Sequence, residues 1–367
     1  MQEWFYINNI DRIDSPALIM YPDRIQANID LVIQMARGCD KLRPHVKTNK
    51  TPEVCRMMLD AGITKFKCAT IAEAEMLGMV EAPDVLLAYQ PTGPKVQRLL
   101  NLVKAYPKTT YSCLIDNERN ADYIAGLCES NGVTLNVFVD LNIGMNRTGV
   151  RPETAPALIG KIIGHKSLRI VGLHGYDGHI HDCEIAKRQA DSDIAFAAAE
   201  KVFNAVQPLF PYPLTLVMGG TPTFPMHARR RNCECSPGTF VFWDWGYKHM
   251  LEEMTFQYAA LIVTRVISII DGEHVCTDLG YKSVSSESPL PRIHFINAQG
   301  STPVSQSEEH LVLKVVDSGD YKVGDVLYGI PVHICPTVAL YEKAYVVKDN
   351  EFIAQWNVVA RNRFINY

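Results

Sequence analysis

Short apolar runs alternate with longer segments of helical periodicity over the first two thirds of the chain. Residues 15–21 predict a strand, and after Pro22 the residues Ile25, Ile29 and Val32 recur on one helical face. Similar strand-then-helix units continue to residue 218, which indicates parallel β/α units. The other predicted strands are 41–47, 65–70, 84–89, 110–115, 134–140, 168–176 and 213–218, and the other predicted helices begin near 51 or span 71–79, 94–105, 117–130, 153–164 and 186–207.

This alternation favours closure into a TIM-type (β/α)8 barrel, for which about 240 residues suffice. An open doubly wound sheet is the alternative, but no Gly-x-Gly-x-x-Gly follows the first strand. Beyond residue 240 the segments 259–269, 274–278, 310–316 and 343–348 are short and β-branched, and Asp271-Gly272 is typical of a hairpin turn. We therefore expect an α/β fold, with a barrel over residues 14–245. A mostly-β C-terminal domain is expected over 246–367, joined by residues 1–13.

Composition and charge narrow the range of partners. The 367 residues carry 36 Lys and Arg against 40 Asp and Glu, a net charge of −4. This balance gives no electrostatic reason to expect nucleic acid or an anionic membrane surface. No apolar run reaches the ~18 residues of a membrane span, and the N-terminus lacks the features of a secretory signal. Because the ten cysteines are scattered without a secretory context, we expect a cytoplasmic location and no disulfides.

Lys47 lies at the carboxyl end of the second predicted strand, in the sequence RPHVKT. Side chains at the carboxyl ends of barrel strands project into the mouth of the barrel. A lysine amine there can form a Schiff base if its surroundings keep it uncharged part of the time. A solvated loop lysine is the structural alternative.

Glycine and polar residues follow the predicted strands 134–140 and 168–176. Arg147 lies between two glycines, so its guanidinium could approach a ligand over little side-chain bulk. Strand alternation puts His174 and Tyr176 on one face. Together with His179 and His181, they are candidate acid/base groups or metal ligands. A surface arginine on a glycine turn and structural histidines are the alternatives.

Residues 219–223 and 236–239 bring glycines and hydroxyl groups into the loops after the seventh and eighth strands. Backbone N–H groups and a threonine hydroxyl in these loops suit a phosphate group. Plain turns of the same composition are equally common. The sequence therefore indicates a phosphate site without establishing one.

His333 and Cys335 form a candidate metal pair in the β-rich part of the chain. In an extended segment residues i and i+2 point the same way, so the imidazole and the thiolate could converge on one cation. This pair of ligands favours Zn²⁺ over Mg²⁺ or Ca²⁺. Two protein ligands would leave open positions for water or substrate. Cys233 and Cys235 are a weaker rival pair, and an isolated pair without metal is the structural alternative.

The sequences PHVKT (44–48), GMNRTG (144–149), GGTPT (219–223), PG (237–238) and HIC (333–335) occur in one characteristic order. Together they resemble the D-threonine aldolase / D-serine dehydratase group of pyridoxal-phosphate enzymes, which have the alanine-racemase-like barrel of fold type III. The resemblance runs from about Asp14 to the C-terminus. It implies a barrel that binds pyridoxal 5′-phosphate, a β domain that carries metal ligands, and assembly as a homodimer.

The resemblance also assigns roles to residues. It implies that Lys47 carries the cofactor, that Arg147 faces the phenolic oxygen of the cofactor, and that His179 or His181 is a second acid/base group. His333 and Cys335 take the positions of the catalytic metal ligands, for Zn²⁺ or Mn²⁺. The remaining cofactor-binding residues that it implies are His174, Tyr176, Gly220, Thr221, Gly238 and Thr239.

The activity implied by the resemblance is that of a lyase acting on small D-3-hydroxy amino acids. Dehydratases of the group have His-x-Cys where aldolases tend to have His-x-Asp, so Cys335 favours deamination to a keto acid and ammonia. Retro-aldol cleavage to glycine and an aldehyde is the alternative. Racemases, which lack the His-x-Cys pair, and non-catalytic cofactor-binding proteins, which typically lack a β domain, are more distant alternatives. Two residues depart from the pattern of the group. Asn49 stands where a histidine is usual, and His174 stands where relatives carry Tyr or Gln.

Overall fold

A computed structural model describes residues 3–367, which divide into two compact units. Each unit has a β-sheet of its own. The first unit comprises the residues up to Leu31, Thr48–Val54 and Thr239–Arg361, and the second comprises Val32–Lys47, Cys55–Gly238 and Asn362–Tyr367.

The strands of the described residues are β1 (Ala17–Met20), β2 (Lys65–Cys68), β3 (Asp84–Leu87), β4 (Thr110–Ile115), β5 (Leu135–Leu141), β6 (Leu168–Gly175), β7 (Thr215–Met218), β8 (Cys233–Cys235), β9 (Ala260–Asp271), β10 (His274–Thr277), β11 (Ile293–Phe295), β12 (Thr302–Gln306), β13 (Leu311–Lys314), β14 (Val326–Pro331), β15 (Lys343–Lys348) and β16 (Glu351–Asn357). The α-helices are α1 (Pro22–Ala36), α2 (Pro52–Asp60), α3 (Ile71–Met79), α4 (Pro94–Ala105), α5 (Glu118–Asn131), α6 (Ala155–Ile162), α7 (Ile185–Val206), α8 (Phe224–Ala228), α9 (Trp245–Met250) and α10 (Ile334–Val338).

The sheet of the second unit is the parallel sheet of the barrel, with the order β2-β3-β4-β5-β6-β7-β8. The segment before β2 lies between β8 and β2, joined by isolated parallel bridges from Leu42 to Cys235 and from His45 to Lys67. Most strand positions are buried, as parallel strands covered on both faces require. Because all strands run the same way, their carboxyl ends meet at one edge, where the candidate residues follow the strands.

Local capping fixes where the helices of this unit begin. Thr70 Oγ1 accepts a hydrogen bond from Glu73 N (3.0 Å) at the start of α3, and Glu73 Oε2 accepts one from Ala69 N (2.5 Å). Asn117 caps α5 in the same manner, and Gly132 ends that helix in the left-handed conformation. These side chains satisfy backbone groups that a helix terminus leaves unpaired. The loop between β2 and α3 is therefore only two residues long.

The sheet of the first unit is mixed and has the order β12-β13-β10-β9-β1-β15-β16, with β14 paired to β9 and β11. Strand β1 lies antiparallel to β9 and parallel to β15. One hydrophobic cluster packs on this sheet. Its fully buried members are Ile7, Ile13, Ala17, Ile19, Tyr21, Leu261, Val263, Tyr328, Ile330 and Val347.

The predicted fold class is confirmed, but the assignment of the strand at residues 15–21 to the barrel is wrong. Residues 15–21 do form a strand, yet β1 belongs to the mixed sheet, because its partners are β9 and β15. The segment 41–47 is held by two bridges rather than by a continuous ladder. Strand β8, at Cys233–Cys235, was not predicted because three residues are too few for a periodic pattern.

In the β-rich part, the predicted hairpin turn is confirmed, since Asp271 pairs with His274 across two residues. Strands β11, β12, β14 and β16 were not predicted. No helix within residues 3–367 combines the length and apolar character of a membrane span.

Candidate active site

Lys47 is exposed at the end of the segment that bridges to β2. Two backbone hydrogen bonds anchor this segment, from Val46 N to Lys67 O (2.9 Å) and from Lys67 N to Pro44 O (2.8 Å). Lys47 N also donates to His45 Nδ1 (3.3 Å). The backbone is therefore fixed, while the amine remains accessible to a carbonyl compound.

Arg43 fixes the same segment from the interior. Its buried guanidinium donates to Glu234 Oε2 (2.7 Å) in β8 and to both carboxylate oxygens of Asp84 (2.7 and 2.9 Å) in β3. Burial alone would lower the pKa of Arg43, but its hydrogen bonds to Asp84 and the charge of Glu234 outweigh burial and raise the pKa. The charged guanidinium of Arg43 therefore links the Lys47 segment to β8 and to β3.

A chain of three buried polar side chains crosses the interior of the barrel sheet. Lys67 in β2 is 2% exposed, and His174 in β6 and Asp140 in β5 are each 3% exposed. Lys67 Nζ lies 3.4 Å from His174 Nε2, and His174 Nδ1 lies 2.7 Å from Asp140 Oδ1. Burial, followed by the charge of Lys47, lowers the pKa of Lys67 to about 7. Burial and the charge of Lys67 lower the pKa of His174, against the effect of Asp140.

The ring of Tyr176, at the carboxyl end of β6, lies near two cations. Arg147 Cζ is 5.0 Å from the ring centre and Lys67 Nζ is 5.6 Å from it. A Cβ atom on Gly178 would lie 2.3 Å from Tyr176 Cε1, and one on Gly220 would lie 3.1 Å from Cε2. The ring therefore packs directly on the backbone of the loops that follow β6 and β7.

Of the residues predicted to hold the phosphate, Thr221 and Gly238 are hydrogen-bonded to each other, next to Gly220. Thr221 Oγ1 accepts a hydrogen bond from Gly238 N (3.1 Å), and Gly220 N donates to Thr223 Oγ1 (3.4 Å). Thr239 belongs to the first unit, where its hydroxyl lies 3.5 Å from Cys335 Sγ. The loops after β7 and β8 thus present glycine backbone and a threonine hydroxyl, which fit a phosphate group.

Asp177 and His227 support the loop after β7 through buried hydrogen bonds. The sequence analysis gave neither residue a role in the site. Asp177 Oδ2 lies 2.7 Å from His227 Nε2, and Asp177 Oδ1 accepts from Thr223 Oγ1 (2.9 Å). Burial opposes ionisation of Asp177, but the hydrogen bonds from His227 and Thr223 prevail and lower its pKa. The position of Asp177 directly after the candidate residue Tyr176 is the feature of the sequence that could have indicated its role.

His179 and His181 are both exposed in the loop after β6. His179 packs on the glycine loop that carries Arg147, since a Cβ on Gly144 would lie 2.5 Å from His179 Nε2. Asp182, the third candidate of this loop, is paired with Lys187 at 2.5 Å. Of the two predicted acid/base histidines, His179 is therefore the one that contacts the Arg147 loop.

His333 and Cys335 lie together in the first unit, but not in an extended segment as predicted. His333 is the extended residue before α10, whereas Cys335 is already in the helix. The two side chains nevertheless interact, since Cys335 raises the pKa of His333. Cys335 Sγ is also 3.1 Å from Thr48 Oγ1 and 3.5 Å from Thr239 Oγ1. The imidazole and the thiol thus lie on either side of the first residue of a helix.

Acidic side chains support this pair. His333 Nδ1 is hydrogen-bonded to Glu287 Oε1, and Asp244 Oδ2 accepts from Ile334 N (3.1 Å). Burial lowers the pKa of His333, but Cys335 and Glu287 raise it to about 9. Burial raises the pKa of Asp244 to about 6. Because Glu287 engages Nδ1, Nε2 is the ring nitrogen available to a cation.

Neither the cofactor nor a metal ion is part of the structure, but the residues fit both. The exposed Lys47 amine, the Arg147 guanidinium and the loops around Thr221 suit an anionic aldehyde. No group of three or more His, Cys, Asp or Glu side chains in residues 3–367 is placed to hold a metal. The imidazole and thiol of His333 and Cys335 are zinc-type donors that would leave coordination positions open.

Comparison with known proteins agrees with this architecture. Residues 21–244 match the family model described as alanine racemase, N-terminal domain, and residues 259–347 match the putative serine dehydratase domain. The chain is 25% identical to a D-threonine aldolase of Arthrobacter sp, covering 95% of this chain and 93% of that protein. It is 26% identical to a 3-hydroxy-D-aspartate aldolase of Paracoccus denitrificans, covering 96% and 93%. The crystal structure of D-threonine aldolase from Filomicrobium marinum superposes with a TM-score of 0.88 at 25% identity, over 98% of this chain and 99% of that one.

Proposed function

The chain belongs to the alanine racemase N-terminal domain family, of fold type III, and from that premise we propose a lyase that acts on D-3-hydroxy amino acids with pyridoxal 5′-phosphate and a divalent metal ion. Its relatives include aldolases for D-threonine and 3-hydroxy-D-aspartate. The second matched domain is named for a serine dehydratase. We favour dehydration with loss of ammonia, and retro-aldol cleavage is the second candidate.

The placement of an imidazole and a thiol two residues apart, at His333 and Cys335, is the observation that supports this choice. The charge of Cys335 raises the pKa of His333, and the surrounding groups are the hydroxyls of Thr48 and Thr239 and the carboxylate of Glu287. A soft thiolate beside an imidazole favours Zn²⁺, with Mn²⁺ as the less suited alternative. Proton abstraction and return, which suffice for a racemase, need no such donors.

Each group would supply a distinct chemistry. Pyridoxal 5′-phosphate, when bound, supplies an electron sink for negative charge at the substrate Cα. A divalent cation held by His333 and Cys335 supplies a Lewis acid for an oxygen ligand. Lys47 would hold the aldehyde carbon of the cofactor, Arg147 its phenolic oxygen, and the backbone near Thr221 its phosphate.

The residues of the chain then decide which bond of the substrate breaks. With the cofactor bound, Lys47 would be the base that takes the Cα proton. Loss of the 3-hydroxyl as water would then give an enamine, whose hydrolysis yields the keto acid and ammonia. His179, on the Arg147 loop, is the residue that could instead take the hydroxyl proton. That proton transfer leads to cleavage of the Cα–Cβ bond. The exposed position of His179 supports the aldolase as the second candidate.

Product analysis separates the two reactions. Purified protein loaded with pyridoxal 5′-phosphate and Zn²⁺ or Mn²⁺ is offered D-serine, D-threonine and D-3-phenylserine. Ammonia with the matching keto acid supports the dehydratase, whereas glycine with an aldehyde supports the aldolase and removes the argument from Cys335. Metal-independent interconversion of alanine enantiomers, or no turnover of any D-substrate, would contradict the proposal.

Assembly and location belong to the same proposal. We infer a homodimer from the resemblance to enzymes that assemble in that way. A cytoplasmic location, without nucleic-acid or membrane partners, follows from the charge balance and the scattered cysteines. Light scattering of the purified protein tests the proposed homodimer, since the mass of a single chain would contradict it.

A further inference from the structure

Lys67 is a buried cation that no step of the proposed reaction uses. It is 2% exposed, in the middle of β2. Lys47 and Arg43, on the neighbouring segment, repel its charge. Asp140 in β5 and Asp177 in the loop after β6 attract it. An ammonium group is costly to bury without partners. The position therefore calls for an explanation beyond packing.

The hydrogen-bond roles in the chain of Lys67, His174 and Asp140 follow from its chemistry. An ammonium group can only donate, so His174 Nε2 accepts from Lys67 Nζ at 3.4 Å. The hydrogen of the neutral imidazole is then on Nδ1, where it donates to Asp140 Oδ1 at 2.7 Å. Lys67 and Arg147 both repel a second proton from the imidazole. Asp140 thus fixes His174, and His174 fixes the position of Lys67 Nζ.

The charged end of Lys67 faces the candidate cofactor residues. Its Nζ lies 5.6 Å from the centre of the Tyr176 ring, which Arg147 approaches to 5.0 Å. We infer that Lys67 is a positioning residue of the cofactor site, a buried cation held by His174 and Asp140 that strengthens the binding of an anion at Lys47 and Arg147. The inference rests on the proposed function only in that the barrel binds pyridoxal 5′-phosphate.

The positive charge of Lys67 depends on pH near neutrality. Burial and the charge of Lys47 bring its pKa to about 7, so the ammonium form prevails in mild acid and is lost at alkaline pH. An anion gains Coulomb attraction only while Lys67 is protonated. Binding of the anion should therefore weaken as the pH rises through 7. The charge of Arg43, whose pKa is raised by its two carboxylate partners, does not change over this range.

Pyridoxine 5′-phosphate is a suitable probe, because it has the ring and phosphate of the cofactor but no aldehyde for Lys47. Its dissociation constant for the cofactor-free protein is measured from about pH 6 to about pH 8.5. The proteins compared are wild type, Lys67→Met, Lys67→Arg and the control Lys65→Met. Lys65 is on the same strand, but it pairs with Glu234 instead. Ratios to the wild type cancel the ionisation of the probe itself.

We expect Lys67→Met to bind about tenfold more weakly than wild type at low pH and equally at high pH. Lys67→Arg should match the wild type at low pH and bind more tightly at high pH, and Lys65→Met should follow the wild type throughout. If Lys67 had only a structural role, the affinity of Lys67→Arg relative to the wild type would not change with pH. Unchanged affinity of Lys67→Met in mild acid, or a wild-type pH dependence in Lys67→Arg, overturns the inference.

Two further measurements keep the inference testable. If Lys67→Met does not fold, the arginine variant against wild type still decides, and ¹⁵N spectra of the cofactor-free wild type should show His174 protonated at Nδ1. Protonation at Nε2 would contradict the assigned roles. If the protein turns over none of the D-substrates, yet its affinity for pyridoxine 5′-phosphate depends on pH through Lys67, the proposed function fails and the inference stands.

Discussion

Asp177 and His227 form a fully buried contact beneath the loop that follows β7, with Oδ2 and Nε2 2.7 Å apart. Arg230 Nη1 lies 2.5 Å from the other ring nitrogen of His227. Since Arg230 can only donate, His227 accepts from it at Nδ1 and donates to Asp177 from Nε2. Asp177 also accepts from Thr223. A network that begins at the largely buried Arg230 thus ends at the loop around Thr221.

Removing the imidazole should destabilise the protein strongly. In His227→Phe the Asp177 carboxylate stays buried and loses one of its two side-chain partners. A buried charge left uncompensated in this way typically costs about 3–5 kcal/mol. Urea unfolding measures the loss. The matched control is His165→Phe, because His165 pairs with Asp122 at the surface (2.9 Å), and a change of at most about 1 kcal/mol is expected there. Equal effects of the two variants would contradict the structural role of the pair.

The stability of the protein should depend on pH through Lys67. Its pKa is about 7 in the folded protein, against about 10.4 in an unfolded chain. Between these values the unfolded chain binds more protons, so the unfolding free energy contributed by Lys67 rises with pH. The wild type should therefore gain stability relative to Lys67→Met from about pH 7 to about pH 10. A difference in unfolding free energy that is flat over this range would show that Lys67 is charged in the folded protein throughout.

Lys47→Ala should abolish the visible absorption band that pyridoxal 5′-phosphate acquires on forming a Schiff base with an enzyme lysine. The amine is exposed on a backbone that is fixed by hydrogen bonds, so its removal leaves the fold intact. Lys95→Ala is the control, because Lys95 is equally exposed and lies against Tyr89 instead, at 5.2 Å. Retention of the band in Lys47→Ala would move the covalent attachment to another lysine.

The parts of the site that the sequence predicts are those that follow directly from a strand. Arg147 and Thr221 lie in short motifs after predicted strands, and parallel strands carry such loops to one edge. Lys67 lies in a predicted strand too, but only its contact with His174, 107 residues away, shows that it faces the interior. Strand β1 was assigned to the wrong sheet for the same reason, since its partners are distant in sequence. Local patterns predict elements, whereas pairing across long separations decides their neighbours.

Glu287 should control metal affinity without being a ligand. It accepts a hydrogen bond from His333 Nδ1 and so orients the ring and favours Nε2 as the coordinating nitrogen. Carboxylate partners of this kind typically change metal affinity by about 10–100-fold. We expect Glu287→Gln to weaken Zn²⁺ binding by that amount in competition with a chelator. Glu273→Gln, which removes only a surface contact with Lys314, should bind Zn²⁺ as the wild type does. Unchanged affinity in Glu287→Gln would exclude this role.

Gly219→Ala should impair both stability and cofactor binding. Gly219 has a φ of +74°, and a Cβ there would lie 2.5 Å from His227 Cδ2 and 2.8 Å from Thr223 Oγ1. The backbone strain and the contact with a rigid buried ring together cost about 1–3 kcal/mol. Because the loop that carries Thr221 must shift, affinity for pyridoxine 5′-phosphate should fall as well.

The matched control is Gly126→Ala, in the exposed interior of α5, where a Cβ would meet nothing within 4 Å. That variant should gain about 0.5–1 kcal/mol from helix propensity and leave the affinity for the probe unchanged. Unfolding in urea and titration with pyridoxine 5′-phosphate measure both quantities on the same samples. If Gly219→Ala were as stable as the wild type and bound the probe equally well, the loop after β7 would not depend on the Asp177–His227 network for its conformation.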